Sequence, residues 1–319
     1  MEKITNIDHR SEHPEWNESY YYVFFDKKQN IGGMTRLGFK PNKKEGMTFF
    51  FLFLPNGSVG GYFQERIVKT YPDKLRVGGM IHDLLKKEIN YKFKGNMILV
   101  ENPRNLPNVR TNPNLISTSK KCEFNLNFNP INKVYEYSEF MSKESLELGK
   151  KAGDKHWEQI GKINGKLKLG NDIYEIKDAL GQRDHTYGIR DWTGVGNWLY
   201  YVVWFNDNLA INPAAIIGSD GRLSTGGFLF KEGKNIPLKT IKVIDQKFEE
   251  SGIFPISSEL EIIDKFETKH VLKAKDGPII PVPFKDQQGN QSFLIQSFGD
   301  FILDDIFGGY GTFETLRRK

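Results

Sequence analysis

Short segments rich in aromatic and β-branched residues recur along the whole chain, with turn-forming residues between them. Before residue 145 they lie at residues 20–25, 47–54, 62–70, 89–93, 97–101, 122–129 and 134–140. The same pattern resumes at residue 156 and continues to residue 316. Separators such as Pro55-Asn56-Gly57-Ser58 carry the chemistry of tight turns. Segments of this length and composition are typical of strands, so the sequence predicts an all-β protein.

One segment between the two halves departs from the strand pattern. Residues 142–153 begin with a candidate N-cap, Ser142, and place acidic residues early and lysines late, before Gly153. This order predicts a helix. A chain of 319 residues is long enough for two domains of about 150 residues each. We therefore expect an N-terminal domain over residues 1–148 and a C-terminal domain over residues 149–319.

Two stretches of the first half have counterparts in the same order in the second half. Residues 20–26 match residues 199–206, and residues 52–65 match residues 216–232. The longer pair shares the order strand, tight turn, Gly-Gly, strand. Two matches in one order favour internal duplication. Because a β-meander that closes on itself leaves no exposed edge, we expect two tandem antiparallel β-barrels.

Charge, hydropathy and cysteine content narrow the classes of function. Lys and Arg number 45 against 40 Asp and Glu, and the excess is spread along the chain, so no nucleic-acid partner is expected. The longest apolar runs, residues 49–54 and 198–205, are far shorter than the roughly 20 residues of a membrane helix, which predicts no integral membrane association. A polar N-terminus and a single cysteine, Cys122, favour a cytoplasmic location.

Residues 181–192 concentrate charged, titratable and aromatic side chains between two strand segments. If residues 183–187 are extended, strand alternation places Arg183, His185 and Tyr187 on one face. Asp184 and Thr186 then point to the opposite face. The motif is therefore expected to form two separate groups of side chains.

These residue types suit proton transfer in an apolar surrounding. His185 can exchange a proton near neutral pH, and an apolar barrel raises the pKa of a carboxyl group such as Asp184. Asp184 and His185 are therefore our candidate catalytic pair, in which Asp184 or Asp191 orients His185 or acts as the acid. Arg183 or Arg190 would hold a carboxylate or a developing anion.

Further substrate-binding candidates flank this pair. They are Tyr187, Trp192, Trp157, Glu158, Trp16 and Glu18. Each of these candidates also has a purely structural interpretation. The Arg and Asp residues of the motif would pair with one another. Trp157 would be a buried ring beside a polar rim, and residues 13–20 would close one end of a barrel. Metal-binding patterns such as His-Xaa-His, paired cysteines and nucleotide-binding glycine motifs are absent from the sequence, so neither a metal nor another cofactor is expected.

Four stretches together resemble a known family. They are Trp16-Asn17-Glu18-Ser19-Tyr20-Tyr21, Gly32-Gly33-Met34-Thr35-Arg36-Leu37-Gly38, His156-Trp157-Glu158-Gln159 and the motif at residues 181–192. They resemble paired uncharacterised domains related to carotenoid 1,2-hydratase (hydroxyneurosporene synthase) and to AttH-like proteins of the lipocalin superfamily. The Arg-Asp-His-Xaa-Xaa-Gly-Xaa-Arg-Asp-Trp element is the most specific part of this resemblance, which spans most of the chain.

The resemblance implies two lipocalin-like barrels, as in isoprenoid hydratases and, more distantly, in cyclising enzymes that act on large apolar substrates without a cofactor. Since a barrel of about eight strands can hold one small ligand, we expect an acid–base enzyme acting on an isoprenoid or other lipid-like molecule. Its reaction would be hydration, dehydration, isomerisation or cyclisation, in the lyase or isomerase class. The alternatives are a non-catalytic carrier of apolar ligands and a partner-binding scaffold.

Overall fold

The computed structural model describes residues 11–68, 75–84, 88–149, 153, 155–190, 192–194, 196–218 and 222–319. The strands are β1 (Trp16–Asp26), β2 (Ile31–Lys40), β3 (Glu45–Phe53), β4 (Val59–Ile67), β5 (Leu75–Val77), β6 (Met80–Asp83), β7 (Ile89–Val100), β8 (Thr118–Pro130), β9 (Tyr135–Glu136), β10 (Lys155–Leu169), β11 (Asp172–Ile189), β12 (Asn197–Asn206), β13 (Leu209–Ile217), β14 (Leu223–Lys231), β15 (Lys234–Phe248), β16 (Pro255–Asp264), β17 (Lys269–Lys285), β18 (Gln291–Leu303) and β19 (Ile306–Arg318). The helices are α1 (Lys143–Gly149) and short 3₁₀ turns at Pro41–Lys43, Pro103–Asn108, Pro113–Leu115 and Tyr137–Glu139.

Eight antiparallel strands form the first barrel in chain order. β1 to β4 run as a meander, β7, β8, β10 and β11 continue it, and the ring closes where β11 pairs with β1 and β4 pairs with β7. β5 and β6 form a hairpin that extends from β7. Because β1 and β11 are neighbours, the start of the described chain lies beside the motif at residues 181–192.

The second barrel consists of β12 to β19, again in chain order, and closes where β19 pairs with β12. The same strand order in both barrels agrees with an origin by internal duplication. Residues 20–26 and 199–206 lie in β1 and β12, the first strands of the two barrels. The second match is different. Residues 52–65 lie in β3 and β4, the third and fourth strands of the first barrel, whereas the matching residues 216–232 fall at β13 and β14, the second and third strands of the second barrel. This second sequence match therefore does not relate equivalent strands.

The division of the chain differs from the expected boundary after residue 148. One compact unit contains residues 1–134 and 155–190, and the other contains residues 135–154 and 191–319. β10 and β11 belong to the first unit because without them its barrel cannot close. The Arg-Asp-His motif consequently lies in the first barrel and not in the C-terminal one.

The segment at residues 135–149 packs against the second barrel. The Tyr135 ring lies 4.8 Å from the ring of Phe228, and the Tyr137 hydroxyl donates to Asn212 Oδ1 at 2.9 Å. The predicted helix is present as α1, and the Ser142 hydroxyl accepts the Ser145 N–H at 3.1 Å as an N-cap. The predicted last turn, apart from residue 153, falls outside the described residues.

The two barrel interiors differ in composition. The first core is rich in aromatic side chains, and its fully buried members include Tyr20, Tyr22, Phe24, Phe50 and Phe93. The second core consists mainly of Leu, Ile, Val and Ala side chains, joined by a few aromatic rings. Among the described residues, no helix is both long and apolar enough to cross a membrane.

Candidate functional site

Three adjacent strands assemble the candidate site. β11 lies between β1 and β10, so His185 faces Tyr20 on one side and Trp157 on the other. Tyr20 belongs to the core of the first barrel, and its ring stacks on that of His185. His185 and Arg183, two residues apart on β11, therefore point into the barrel interior, as the alternation of the sequence predicts.

A buried carboxylate–imidazole pair lies at the centre of this site. His185 Nε2 is 2.6 Å from Glu18 Oε1, and neither side chain is exposed to solvent. The Tyr20 hydroxyl donates to the same Glu18 oxygen at 2.9 Å. A carboxylate at Nε2 favours the tautomer in which Nε2 carries the proton, which leaves the lone pair of the neutral ring on Nδ1.

Aromatic rings enclose the imidazole of His185. Tyr20 stacks on it with centroids 4.3 Å apart, Trp157 meets it edge-on at 5.2 Å, and Tyr187 is tilted against it at 5.6 Å. The Trp16 ring continues this group, 6.0 Å from the ring of Tyr187. Such a surrounding strengthens the interaction of His185 with Glu18, since the local dielectric is low.

Arg183 supplies a buried cation next to this pair. Its Nε and Nη2 atoms both donate to Gln159 Oε1, at 3.0 and 2.7 Å. The guanidinium also lies over the rings of Trp157 and Phe128, at 5.1 and 5.6 Å. Burial lowers the pKa of Arg183, and the neighbouring Tyr91 opposes this shift. Among the described residues, Arg183 Nη1 has no hydrogen-bond partner, so its two N–H groups remain for a ligand.

Further polar groups lie deeper in the same interior. Tyr22 stacks on Tyr91 with centroids 3.6 Å apart, and His82 Nε2 is 3.3 Å from the Thr35 hydroxyl. Burial lowers the pKa of His82 to about 3, so its ring is neutral. Within the described chain, the Tyr22 and Thr48 hydroxyls and His82 Nδ1 are buried without a hydrogen-bond partner. Buried polar atoms of this kind are rare in native proteins and indicate partners supplied by a ligand or water.

The opposite face of β10 and β11 carries a second cluster. Glu158 pairs with Asp184 across the two strands, and His156 Nε2 lies 3.1 Å from Glu158 Oε1 and 3.4 Å from Asp184 Oδ2. Burial opposes the charged form of His156. Hydrogen bonds with Asp184 and Glu158, together with their charges, outweigh this effect and raise the pKa of His156 to about 9. These three side chains are also of the types that bind metal ions.

A family model described as a domain of unknown function, DUF7064, matches residues 4–319. The chain belongs to this family. No curated protein sequence matches the DUF7064 chain significantly.

Solved structures share the fold of the DUF7064 chain. An AttH-like protein from Nitrosomonas europaea has a TM-score of 0.62 at 10% identity, over 95% of this chain and 93% of that one. Kievitone hydratase from Nectria haematococca has a TM-score of 0.57 at 9% identity, over 94% and 88%. CghA has a TM-score of 0.56 at 9% identity, over 95% and 87%. These similarities confirm the predicted fold, which the chain shares with an AttH-like protein, kievitone hydratase and CghA.

The structure separates Asp184 and His185, the two residues that the sequence analysis predicted to be the catalytic pair. His185 faces the barrel interior, whereas Asp184 faces the other side of the sheet beside His156. The carboxylate partner of His185 is Glu18, which the sequence indicated only as a substrate-binding candidate. Alternation along a single strand allows no contact between neighbouring side chains on opposite faces.

The other predicted residues are distributed along the DUF7064 chain. Trp157, Trp16 and Tyr187 contribute rings to the His185 surroundings. Arg190 follows the end of β11 and is half-buried, and Asp191 lies outside the described residues. Trp192 belongs to the second unit, where its ring stacks on Phe284 with centroids 4.7 Å apart.

Sequence reasoning missed Tyr20, Gln159 and Tyr91 as site residues. Tyr20 follows Glu18 by two positions in a strand, so alternation could have placed both on one face. The contact of Glu18 with His185 joins residues 167 positions apart. Only the closure of the barrel makes these two residues neighbours.

Proposed function

We propose that the first barrel is an acid–base enzyme in which Glu18 and His185 handle protons for a largely apolar small molecule. The observation that carries this proposal is the buried 2.6 Å contact between Glu18 Oε1 and His185 Nε2 in a barrel interior. General acid–base catalysis by a positioned imidazole contributes typically about 10²–10⁴-fold to a rate.

The proposed chemistry uses the two nitrogens of His185 differently. Nε2–H donates to Glu18, and Nδ1 removes a proton from a carbon or oxygen of the substrate. The imidazolium that forms is stabilised by the Glu18 carboxylate, which is itself held by the Tyr20 hydroxyl. Nδ1 then returns the proton, either to another carbon, which isomerises the substrate, or to a departing hydroxyl, which dehydrates it. Hydration is the reverse of the second route.

Arg183 would stabilise the charge that this proton transfer creates. Removal of a proton next to a carbonyl places negative charge on the carbonyl oxygen. A buried guanidinium with a remaining donor at Nη1 suits that oxygen, because fixed donors are most effective where water is excluded. We therefore expect the substrate to carry a carbonyl, phenol or similar oxygen in addition to its apolar body.

The finer assignment is an isoprenoid or other lipid-like substrate and a reaction of the hydratase, dehydratase, isomerase or cyclase type. It is supported by the aromatic interior and by the names of two proteins of similar fold: kievitone hydratase, and CghA, which has also been solved with Sch210972. The proposed steps use no cofactor. The same proposal places the protein in the cytoplasm, where a buried lone thiol such as Cys122 stays reduced.

Turnover of a panel of polyenes, prenyl alcohols and unsaturated ketones, followed by mass spectrometry, tests this function. We expect a product with water gained, water lost or unchanged mass. His185→Gln and Glu18→Gln should each lower the rate by about 10²-fold or more, while His270→Ala in the second barrel leaves it unchanged. Unaltered turnover in a folded His185→Gln variant would remove His185 from the chemistry.

A non-catalytic carrier is the second candidate function. The buried polar atoms of Arg183, Tyr22, Thr48 and His82 would bind an oxygenated apolar ligand whether or not it reacts. Organic extraction of the purified protein, with mass spectrometry of the extract, distinguishes the two. A carrier holds the same unaltered molecule in the wild type and in His185→Gln, whereas an enzyme accumulates substrate only in the variant.

A further inference from the structure

The cluster of His156, Glu158 and Asp184 on the outer face of β10 and β11 has no role in the proposed acid–base chemistry. We propose that His156, Glu158 and Asp184 bind a divalent first-row transition metal ion. The site is separate from the Glu18–His185 pair, because strand alternation puts Asp184 and His185 on opposite faces of the sheet.

The distances between the three ligand atoms suit a single ion. His156 Nε2 lies 3.1 Å from Glu158 Oε1 and 3.4 Å from Asp184 Oδ2, and all three atoms lie within 4.8 Å of one another. Two ligand atoms bonded tetrahedrally to one Zn²⁺ at about 2.0–2.2 Å are roughly 3.3–3.6 Å apart. Small side-chain rotations would therefore bring all three atoms onto one ion.

The second oxygen of each carboxylate is held by an N–H donor. Gln182 Nε2 donates to Glu158 Oε2 at 2.7 Å, and the backbone N–H of Tyr21 donates to Asp184 Oδ1 at 3.2 Å. These bonds direct Oε1 and Oδ2 toward His156. Outer partners that orient ligand atoms in this way are a regular part of protein metal sites.

His270 in the second barrel provides an internal comparison. Its Nδ1 lies 3.0 Å from Asp304 Oδ2 and its Nε2 lies 3.5 Å from Asp264 Oδ2. The two nitrogens point in different directions, so the three groups cannot share one ion, and the arrangement is that of an ion-pair network. At His156 a single nitrogen faces both carboxylates. This arrangement allows all three groups to bind one ion.

The mixture of ligand types indicates the class of ion. Zn²⁺ and similar transition metal ions accept imidazole nitrogen together with carboxylate oxygen, while Mg²⁺ and Ca²⁺ prefer oxygen ligands alone. Three protein ligands leave a coordination position open for water or another molecule. The His156 side chain is 27% exposed while that of Glu158 is fully buried, which gives the ion a route of entry past His156.

Calorimetric titration of the full, untagged, chelator-treated chain with Zn²⁺ tests this proposal. We expect one Zn²⁺ per chain. His156→Ala and Asp184→Asn should each weaken binding at least about 100-fold. Gln182→Leu, which removes the hydrogen-bond donor to Glu158 Oε2, should weaken it about 10–100-fold. His270→Ala is the matched control and should bind as the wild type does. Mg²⁺ should bind far more weakly than Zn²⁺.

A second measurement covers variants that fold poorly. Zn²⁺ should raise the Tm of the wild type and of His270→Ala, because an ion that binds only the folded state stabilises it. Asp184→Asn, which keeps the size of the side chain, should lose this rise while its circular dichroism stays native. Absence of stoichiometric binding, or equal affinity in the wild type and Asp184→Asn, would overturn the proposal. No turnover is measured, so this outcome is independent of the role of His185.

Discussion

At the scale of single residues, two neighbouring tyrosines on β1 have opposite hydrogen-bonding situations. The Tyr20 hydroxyl donates to Glu18, whereas the buried Tyr22 hydroxyl has no partner among the described residues. Tyr20→Phe should therefore lower the free energy of unfolding by about 1–3 kcal/mol. Tyr22→Phe should leave it unchanged or raise it by up to about 1 kcal/mol, while weakening ligand binding. Urea unfolding of the ligand-free variants checks this, and equal losses in both would contradict the assignment of Tyr22 to ligand binding.

A second prediction for a single residue concerns the contribution of Glu15, just before β1, to the pH dependence of stability. Hydrogen bonds from Lys40 and Lys43 lower the pKa of Glu15 to about 2. Because the pKa of Glu15 is lower in the folded than in the unfolded state, the ionised carboxylate stabilises the fold at pH values above the unfolded pKa of 4.5. This stabilisation is lost as the pH falls through about 2. Because Glu15 is well exposed, the contribution is below about 1 kcal/mol. Glu15→Gln should flatten the stability profile between these pH values, and Glu65→Gln, exposed on β4, serves as the control.

At the scale of strands, the pairing of β11 with β1 depends on a close approach at Gly181. A Cβ atom there would lie 2.6 Å from the Val23 carbonyl oxygen and 2.8 Å from Ile163 Cγ1. Gly181→Ala should therefore cost about 1–3 kcal/mol of stability and should also lower activity, since the shift falls in the strand that carries His185. Gly149→Ala, where the Cβ would meet nothing within 4 Å, is the control. Equal unfolding midpoints for the two variants would contradict this view of the strand pair.

Strands and the short helix were predictable because their signals are local. Residues 20–25 and 122–129 alternate or cluster apolar side chains within a few positions, and Ser142 caps α1 within one turn. The same locality explains why alternation correctly separated His185 from Asp184. Partners across strands were not predictable, because the register that joins Glu18 to His185 is set by the whole ring of strands.

At the scale of the whole molecule, the sequence indicated two β-barrels but placed the division at the wrong point. A helix near the middle of the chain suggested a linker, yet β10 and β11 return to the first barrel after the excursion of residues 135–154. A fragment of residues 1–148 lacks two of the eight barrel strands and should not unfold cooperatively, because it leaves unpaired edges on β1 and β8. Near-ultraviolet circular dichroism and limited proteolysis of this fragment test the division. A native-like spectrum would contradict it.

The exchange of substrate hydrogen with solvent tests the central claim, that Glu18 and His185 transfer protons, most directly. A bound unsaturated ketone is incubated with the protein in deuterium oxide, and its mass is followed over time. The wild type should incorporate deuterium at a carbon beside the oxygenated group. Folded His185→Gln should bind the same compound without incorporation, and Glu18→Gln should incorporate about 10²-fold more slowly. Equal incorporation in the wild type and His185→Gln, or binding to the wild type with no incorporation, would contradict the account.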